Sequence, residues 1–177
     1  MLPLMRGLGF DARWHVMEGG PEFYEITKAF HNALHGHSRP FQPRDFEIFL
    51  EYNQRTCRQL ALDGRFVVIH DPQPAALIES RNPARPDGQK WFWRCHIDLS
   101  HADLAVWHFL EPYVNRYDGA IFSSPEFSRQ LAIPQFLFYP SIDPLSDKNR
   151  DLDAAFIQST LARFGIDPER RILTQIS

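Results

Sequence analysis

Four places in the sequence set carboxylates, amides, imidazoles and hydroxyls directly after short apolar runs. His70-Asp71-Pro72-Gln73-Pro74 follows Val67-Val68-Ile69, and Arg94-Cys95-His96-Ile97-Asp98 follows Trp91-Phe92-Trp93. Ser123-Ser124-Pro125-Glu126 follows Ile121-Phe122, and Pro140-Ser141-Ile142-Asp143-Pro144 follows Leu137-Phe138-Tyr139. If the apolar runs are strands of one parallel sheet, these groups gather on the rim beyond the C-terminal strand ends, where open α/β sheets bind ligands. Such a set suits a neutral, polyhydroxylated ligand. Sugar hydroxyls both donate and accept hydrogen bonds, and the C–H faces of a sugar ring pack on aromatic side chains. Taken singly, the same residues have plainer uses: Asp-Pro opens turns at Asp71 and Asp143, and His70 and His96 serve as structural histidines. Repetition at four strand ends favours a site.

Other constellations are weaker. His31, His35 and His37 stand at i, i+4 and i+6, and the first two share a helix face as a metal pair would. No cysteine or motif glutamate accompanies them, so solvated helix-end histidines and no metal are expected. Trp91 and Trp93 point to one face of their strand, with core packing the expected use. The chain lacks a phosphate-binding Gly-rich loop, a Gly-x-Gly-x-x-Gly string, a Gly-x-Ser-x-Gly elbow and a Cys-x-x-Cys pair. No cofactor or nucleotide site of its own is expected.

The elements that must position the rim follow from periodicity. Strands are expected at Ala12–Val16, Phe66–His70, Trp91–Ile97, Ala120–Ser123 and Phe136–Tyr139, short enough and apolar enough for a parallel sheet. Helices are expected at Glu22–Leu34, with Phe23, Ile26 and Phe30 on one face, and at Asp45–Leu62, with Phe46, Phe49, Leu50 and Leu60. Leu104–Tyr117 and Asp151–Phe164 complete the set, the last closed by Gly165. Alternating strands and helices make an α/β domain. Leu2–Leu8 reads as the end of a helix leading into Ala12–Val16, and Arg81–Gly88 as a loop. A doubly wound domain opens on a strand and a glycine-bearing turn, which are expected to be missing here. Arg171–Ser177 reads as a segment entering further structure.

Composition bounds the rest. The 177 residues are 44% hydrophobic, enough for one core. Nineteen Lys and Arg against 22 Asp and Glu give a net charge of -3, with no cationic block for nucleic acid. The longest stretch without a charged residue, Gln130–Ile142, is broken by Pro134 and Pro140 and falls short of a membrane span. The N-terminus does not read as a secretory signal, and Cys57 and Cys95 read as free thiols in a reducing cytoplasm.

Several ordered strings then carry a family resemblance: Glu18-Gly19 with Phe23, Thr27-Lys28 and Phe30-His31-Asn32-Ala33-Leu34; His70-Asp71-Pro72-Gln73-Pro74-Ala75; Trp93-Arg94-Cys95-His96-Ile97-Asp98-Leu99-Ser100; and Pro140-Ser141-Ile142-Asp143-Pro144-Leu145-Ser146 with Lys148-Asn149. Together they resemble the N-terminal half of the trehalose glycosyltransferring synthases and related trehalose phosphorylases. The resemblance implies a Rossmann-like, mostly parallel sheet with helices on both faces. It would be one half of a GT-B fold, with residues 1–177 a single truncated acceptor-binding domain, its first strand missing and the C-terminal nucleotide-sugar domain absent. The family reaction joins the glucose of a nucleoside diphosphate glucose to free glucose with retention, and runs backward. By the resemblance, His96 contacts the donor sugar, and Asp71 and Gln73 bind the acceptor glucose. Lys28, His31 and Asn32 line the same cleft, Arg94 and Asp98 flank and orient His96, and Asp143-Pro144 is the exit toward the second domain. Glucose or trehalose, and a domain or chain supplying the nucleotide half, are the implied partners.

Because the groups that neutralise the departing diphosphate belong to the other half, this chain is expected to be inactive alone. The missing strand would leave unpaired backbone and apolar surface, so self-association is also expected. The competing readings are a non-catalytic sugar- or partner-binding module, a folded remnant without binding, and a metal protein using His31 and His35.

Overall fold

The computed structural model describes residues 2–81, 88–143, 149–171 and 173. In chain order the elements are α1 (Leu2–Gly7), α2 (Pro21–Leu34), α3 (Pro43–Gln59), β1 (Phe66–His70), a 3₁₀ segment (Ala75–Ser80), β2 (Lys90–Arg94), α4 (Leu104–Val114), β3 (Gly119–Phe122), a 3₁₀ turn (Pro125–Phe127), β4 (Gln135–Leu137) and α5 (Ala154–Arg163). They fall into two compact units, one ending at Pro140 and one from Ser141 onward. Most of the expected loop at Arg81–Gly88, Pro144 and most of Arg171–Ser177 lie outside the described residues.

The first unit is built on a four-stranded sheet in the order β1-β2-β3-β4, every neighbouring pair parallel. Side chains alternate across it. Val67, Ile69, Trp91, Trp93, Ala120 and Phe122 share one buried core with the apolar stripes of α2, α3 and α4. The opposite face carries exposed Phe66 and Val68, with Phe92 packed edge-on against Phe136. In α2, Phe23, Ile26, Phe30, Ala33 and Leu34 are buried at helical spacing, and the Phe30 ring meets Phe41, Phe46, Phe49 and Phe109.

Local chemistry sets the boundaries. Pro21 and Pro43 stand in the first turns of α2 and α3, where the missing N–H would be unpaired anyway. Asp45 Oδ2 accepts the Gln42 amide at 3.0 Å, and Asp103 Oδ1 accepts the Ala105 and Val106 amides at 2.9 and 3.1 Å. In the second unit, Asp153 Oδ1 takes the Phe156 amide at 2.8 Å, so α5 begins at Ala154 and not at Asp151. Helix α3 stops at Gln59 because Leu60 is already extended, which leaves Leu60 outside the helical stripe expected for it.

One expected strand is absent. Residues 10–20 run without a ladder, and among the described residues no backbone hydrogen bond joins 10–18 to Phe66–His70. Trp14 and Val16 are 60% and 68% exposed. The alternating pattern of Ala12–Val16 fits a half-buried strand, but a strand forms only against a neighbour, and none is paired with it here.

Asp118 locks the start of the sheet. Its Oδ2 accepts the Trp91 amide at 2.8 Å, and its carboxylate pairs with Arg81 at 3.0 Å and Lys90 at 3.3 Å. Burial disfavours the charge, but these partners outweigh it and hold the carboxyl below its ordinary 3.8. A depressed carboxyl stabilises the fold above the unfolded value, and that stability is lost as pH falls through the folded one. Asp118→Asn should therefore lower the urea midpoint near pH 7, with the difference from the parent narrowing at about pH 3. An equal difference at both values would count against this role.

Candidate functional site

The parallel register sets His70 opposite Arg94, so the ends of β1 and β2 lie side by side. Asp71, the next residue, has φ +68°, in the left-handed region that aspartate enters more readily than most side chains. Three hydrogen bonds hold it there. Its amide donates to the Arg94 carbonyl at 2.8 Å, its carbonyl accepts the Trp93 indole N–H at 2.9 Å, and its Oδ1 accepts the His96 amide at 3.0 Å. The turn beyond β2 is tied down by the Cys95 amide, which donates to the Ile121 carbonyl of β3 at 2.9 Å.

His96 is exposed on this turn, and its Nε2 lies 3.2 Å from Nδ1 of His70. The Trp14 ring sits on the other ring of the pair, its centroid 5.3 Å from that of His70. On α2, His31 packs its ring 4.8 Å from His35 and interacts electrostatically with Asp71. Burial lowers the basicity of His31 and His70, and His35 and His96 respectively lower it further. Asp71 works in the opposite direction on both. The site thus combines one carboxylate with two histidines, His31 and His70, whose charged forms are disfavoured.

The remaining candidates are placed as follows. Lys28 and Asn32 are exposed on α2. Gln73 is half-buried in the loop after Asp71, and its carbonyl accepts Nδ2 of Asn53 at 3.0 Å. Asn53 is itself buried in α3, so the helix braces this loop. Arg94 donates through Nη2 to Ser123 Oγ at 2.9 Å and to the Phe138 carbonyl at 3.1 Å, joining the rims of β2, β3 and β4. Its Nη1 is buried without a hydrogen-bond partner. Asp98 accepts the Ser100 amide at 2.9 Å, a local turn that lowers its pKa chiefly through Ser100. His96 is held through its amide by Asp71 and through its ring by His70. Asp143 belongs to the second unit, where its carbonyl accepts Nδ2 of Asn149.

The Cys95 thiol is buried and pushed up to about 12, too high to act as a nucleophile near neutral pH. Among the described residues no group of three or more His, Cys, Asp or Glu side chains is arranged to hold a metal ion. A separate cavity of about 640 Å³ lies between α4 and residues 128–132, lined by Trp107, Glu111 and Arg129 among others, and the rim residues take no part in it. The strand-end rim, with its converging polar groups, is the better candidate.

An all-parallel sheet with packed helices and a polar rim at its C-terminal strand ends defines a Rossmann-like α/β domain. The chain belongs to the family described as "Trehalose synthase, N-terminal domain", whose model matches residues 1–129. That span contains Lys28, His31, Asn32, Asp71, Gln73, Arg94, His96 and Asp98. The proteins named trehalose synthase from Thermococcus litoralis and Pyrococcus furiosus are each 44% identical to it over 181 residues, covering 100% of this chain and 43% of theirs. Trehalose synthase from Rubrobacter xylanophilus is 40% identical over 185 residues, covering 100% and 44%. The chain therefore spans less than half the length of the curated relatives it matches. Among the described residues no helix is long and apolar enough to cross a membrane.

Proposed function

We propose that this chain is the acceptor-side part of a retaining glycosyltransferase that makes trehalose from nucleoside diphosphate glucose and glucose, and that alone it does not turn over. The observation that carries this is Asp71, held in the left-handed region at the end of β1 with one carboxylate oxygen on the His96 amide. A carboxylate fixed this way keeps Oδ2 for a glucose hydroxyl, and a charged acceptor makes the stronger hydrogen bond. Gln73, Lys28, His31 and Asn32 add polar groups around the acceptor, and His96 faces the donor glucose.

These groups bind and orient sugars. They do not neutralise a departing diphosphate: the Arg94 guanidinium already joins Ser123 to the Phe138 carbonyl. That charge stabilisation falls to a nucleotide-sugar domain, in the same longer polypeptide or in a separate chain. Two free cysteines suit a reducing cytoplasm, and the exposed Phe66 and Val68 suit self-association.

Calorimetric titration of the chain with glucose and trehalose tests the proposal. Saturable binding with Kd on the order of 1 mM is expected, without release of nucleoside diphosphate when the sugar nucleotide is added. Turnover by the chain alone would overturn its dependence on a second domain. Failure to bind either sugar would overturn the acceptor-site assignment.

A further inference from the structure

The contact between His70 and His96 is not used by the function proposed above. Its origin is the sheet register: His70 pairs with Arg94, and the turn after Arg94 brings the His96 ring back beside β1. Nδ1 of His70 and Nε2 of His96 stand 3.2 Å apart, with the ring planes 12° from parallel. A hydrogen bond between two imidazole nitrogens requires one N–H and one lone pair. Protonation at those two nitrogens must therefore be complementary, and two fully charged rings cannot make the contact.

We propose that His70 is a positioning residue that holds the His96 ring in one orientation and one tautomer, so that Nδ1 of His96 is the nitrogen presented to the donor-side sugar. Three further contacts fix the frame. The Trp14 ring packs on His70, Asp71 Oδ1 fixes the His96 amide, and the Asp71 carbonyl is held by Trp93. Besides His96 itself, the charged groups acting on His70 are Asp71 and Arg94, of opposite sign. His70 ends β1 and His96 follows β2, and the hydrogen bond joins the two rings across the register.

The role in sugar binding rests on the function proposed above; the ring geometry does not. Long-range proton–nitrogen correlation spectra of the chain, with imidazole signals assigned, should show one of the two facing nitrogens protonated and the other bare. In His70→Ala the His96 signals should move toward averaged tautomers. His70→Asn, whose amide can occupy the position of Nδ1, should restore a single form. Trehalose, which carries both glucose units, should bind His70→Ala about tenfold more weakly while glucose binding is unchanged, and His70→Asn should recover most of the loss. A purely structural role would weaken both sugars together. Both facing nitrogens protonated, both bare, or His96 spectra indifferent to His70→Ala would overturn the proposal. The parent spectra decide this even if His70→Ala fails to fold. Failure of the acceptor-site assignment would show separately, as loss of glucose binding in a parent chain whose ring pair is intact.

Discussion

Asp71→Ala should weaken glucose binding by about 10- to 100-fold, the effect of removing a charged hydrogen-bond acceptor from a sugar hydroxyl. The same change should also destabilise the fold by about 1–2 kcal/mol, because alanine resists a φ of +68° and the His96 amide loses its partner. Two further variants separate these effects. Asp71→Gly accepts the left-handed backbone without strain, so it should lose sugar affinity like alanine while keeping more stability. Asp71→Asn tolerates the same φ and retains a side-chain acceptor, so it should lie near the parent in stability and between parent and alanine in binding. Calorimetry with glucose and urea unfolding measure the two quantities. Parent-like glucose affinity in Asp71→Ala would remove this carboxylate from the site.

Trp93→Ala should cost about 3–5 kcal/mol, a large part of the about 5–15 kcal/mol that holds a typical domain together. The Trp93 side chain is fully buried, at 0% exposure, and meets the Phe122 ring edge-on at 6.1 Å. Low yield of folded protein is the expected outcome. Trp93→Phe isolates a second role. It keeps most of the packing but removes the indole N–H that holds the Asp71 carbonyl at 2.9 Å, leaving that carbonyl short of its partner at about 1–3 kcal/mol. Its urea midpoint should fall modestly, and glucose affinity should fall with it, since the residue that presents the carboxylate is loosened. Unchanged glucose binding in a destabilised Trp93→Phe would confine Trp93 to the core.

Much of the architecture was legible residue by residue. β1, β2, β3 and β4 coincide with the apolar runs at Val67, Trp91, Ile121 and Phe136, each closed by turn residues. The helices follow the 3 and 4 spacing of Phe23, Ile26 and Phe30 and its counterparts, because a stripe with that period has only one element on which it can be buried. Ala12–Val16 departs from its pattern for the converse reason: alternation describes a face, and pairing needs a neighbour. In α3, Asn53 and Thr56 are buried beside Phe49; Asn53 Nδ2 donates to the Phe49 and Gln73 carbonyls and Thr56 Oγ1 to the Tyr52 carbonyl, while Asn53 Oδ1 is buried without a hydrogen-bond partner. Apolar periodicity does not reveal such positions.

The sequence by itself determined the α/β class, the family and the strand ends on which polar groups collect, because these depend on residue type and local period. Which rim groups touch was decided only by the tertiary structure. Asp71 reaches the His96 amide across 25 positions, His70 reaches the His96 ring across 26, and Asn53 reaches the Gln73 loop across 20. The first two contacts follow from the parallel register that sets His70 beside Arg94, and a slip of one residue would turn each side chain to the opposite face. Register is settled by burying Val67, Ile69, Trp91 and Trp93 in one core, a property of the packed sheet and not of either strand alone.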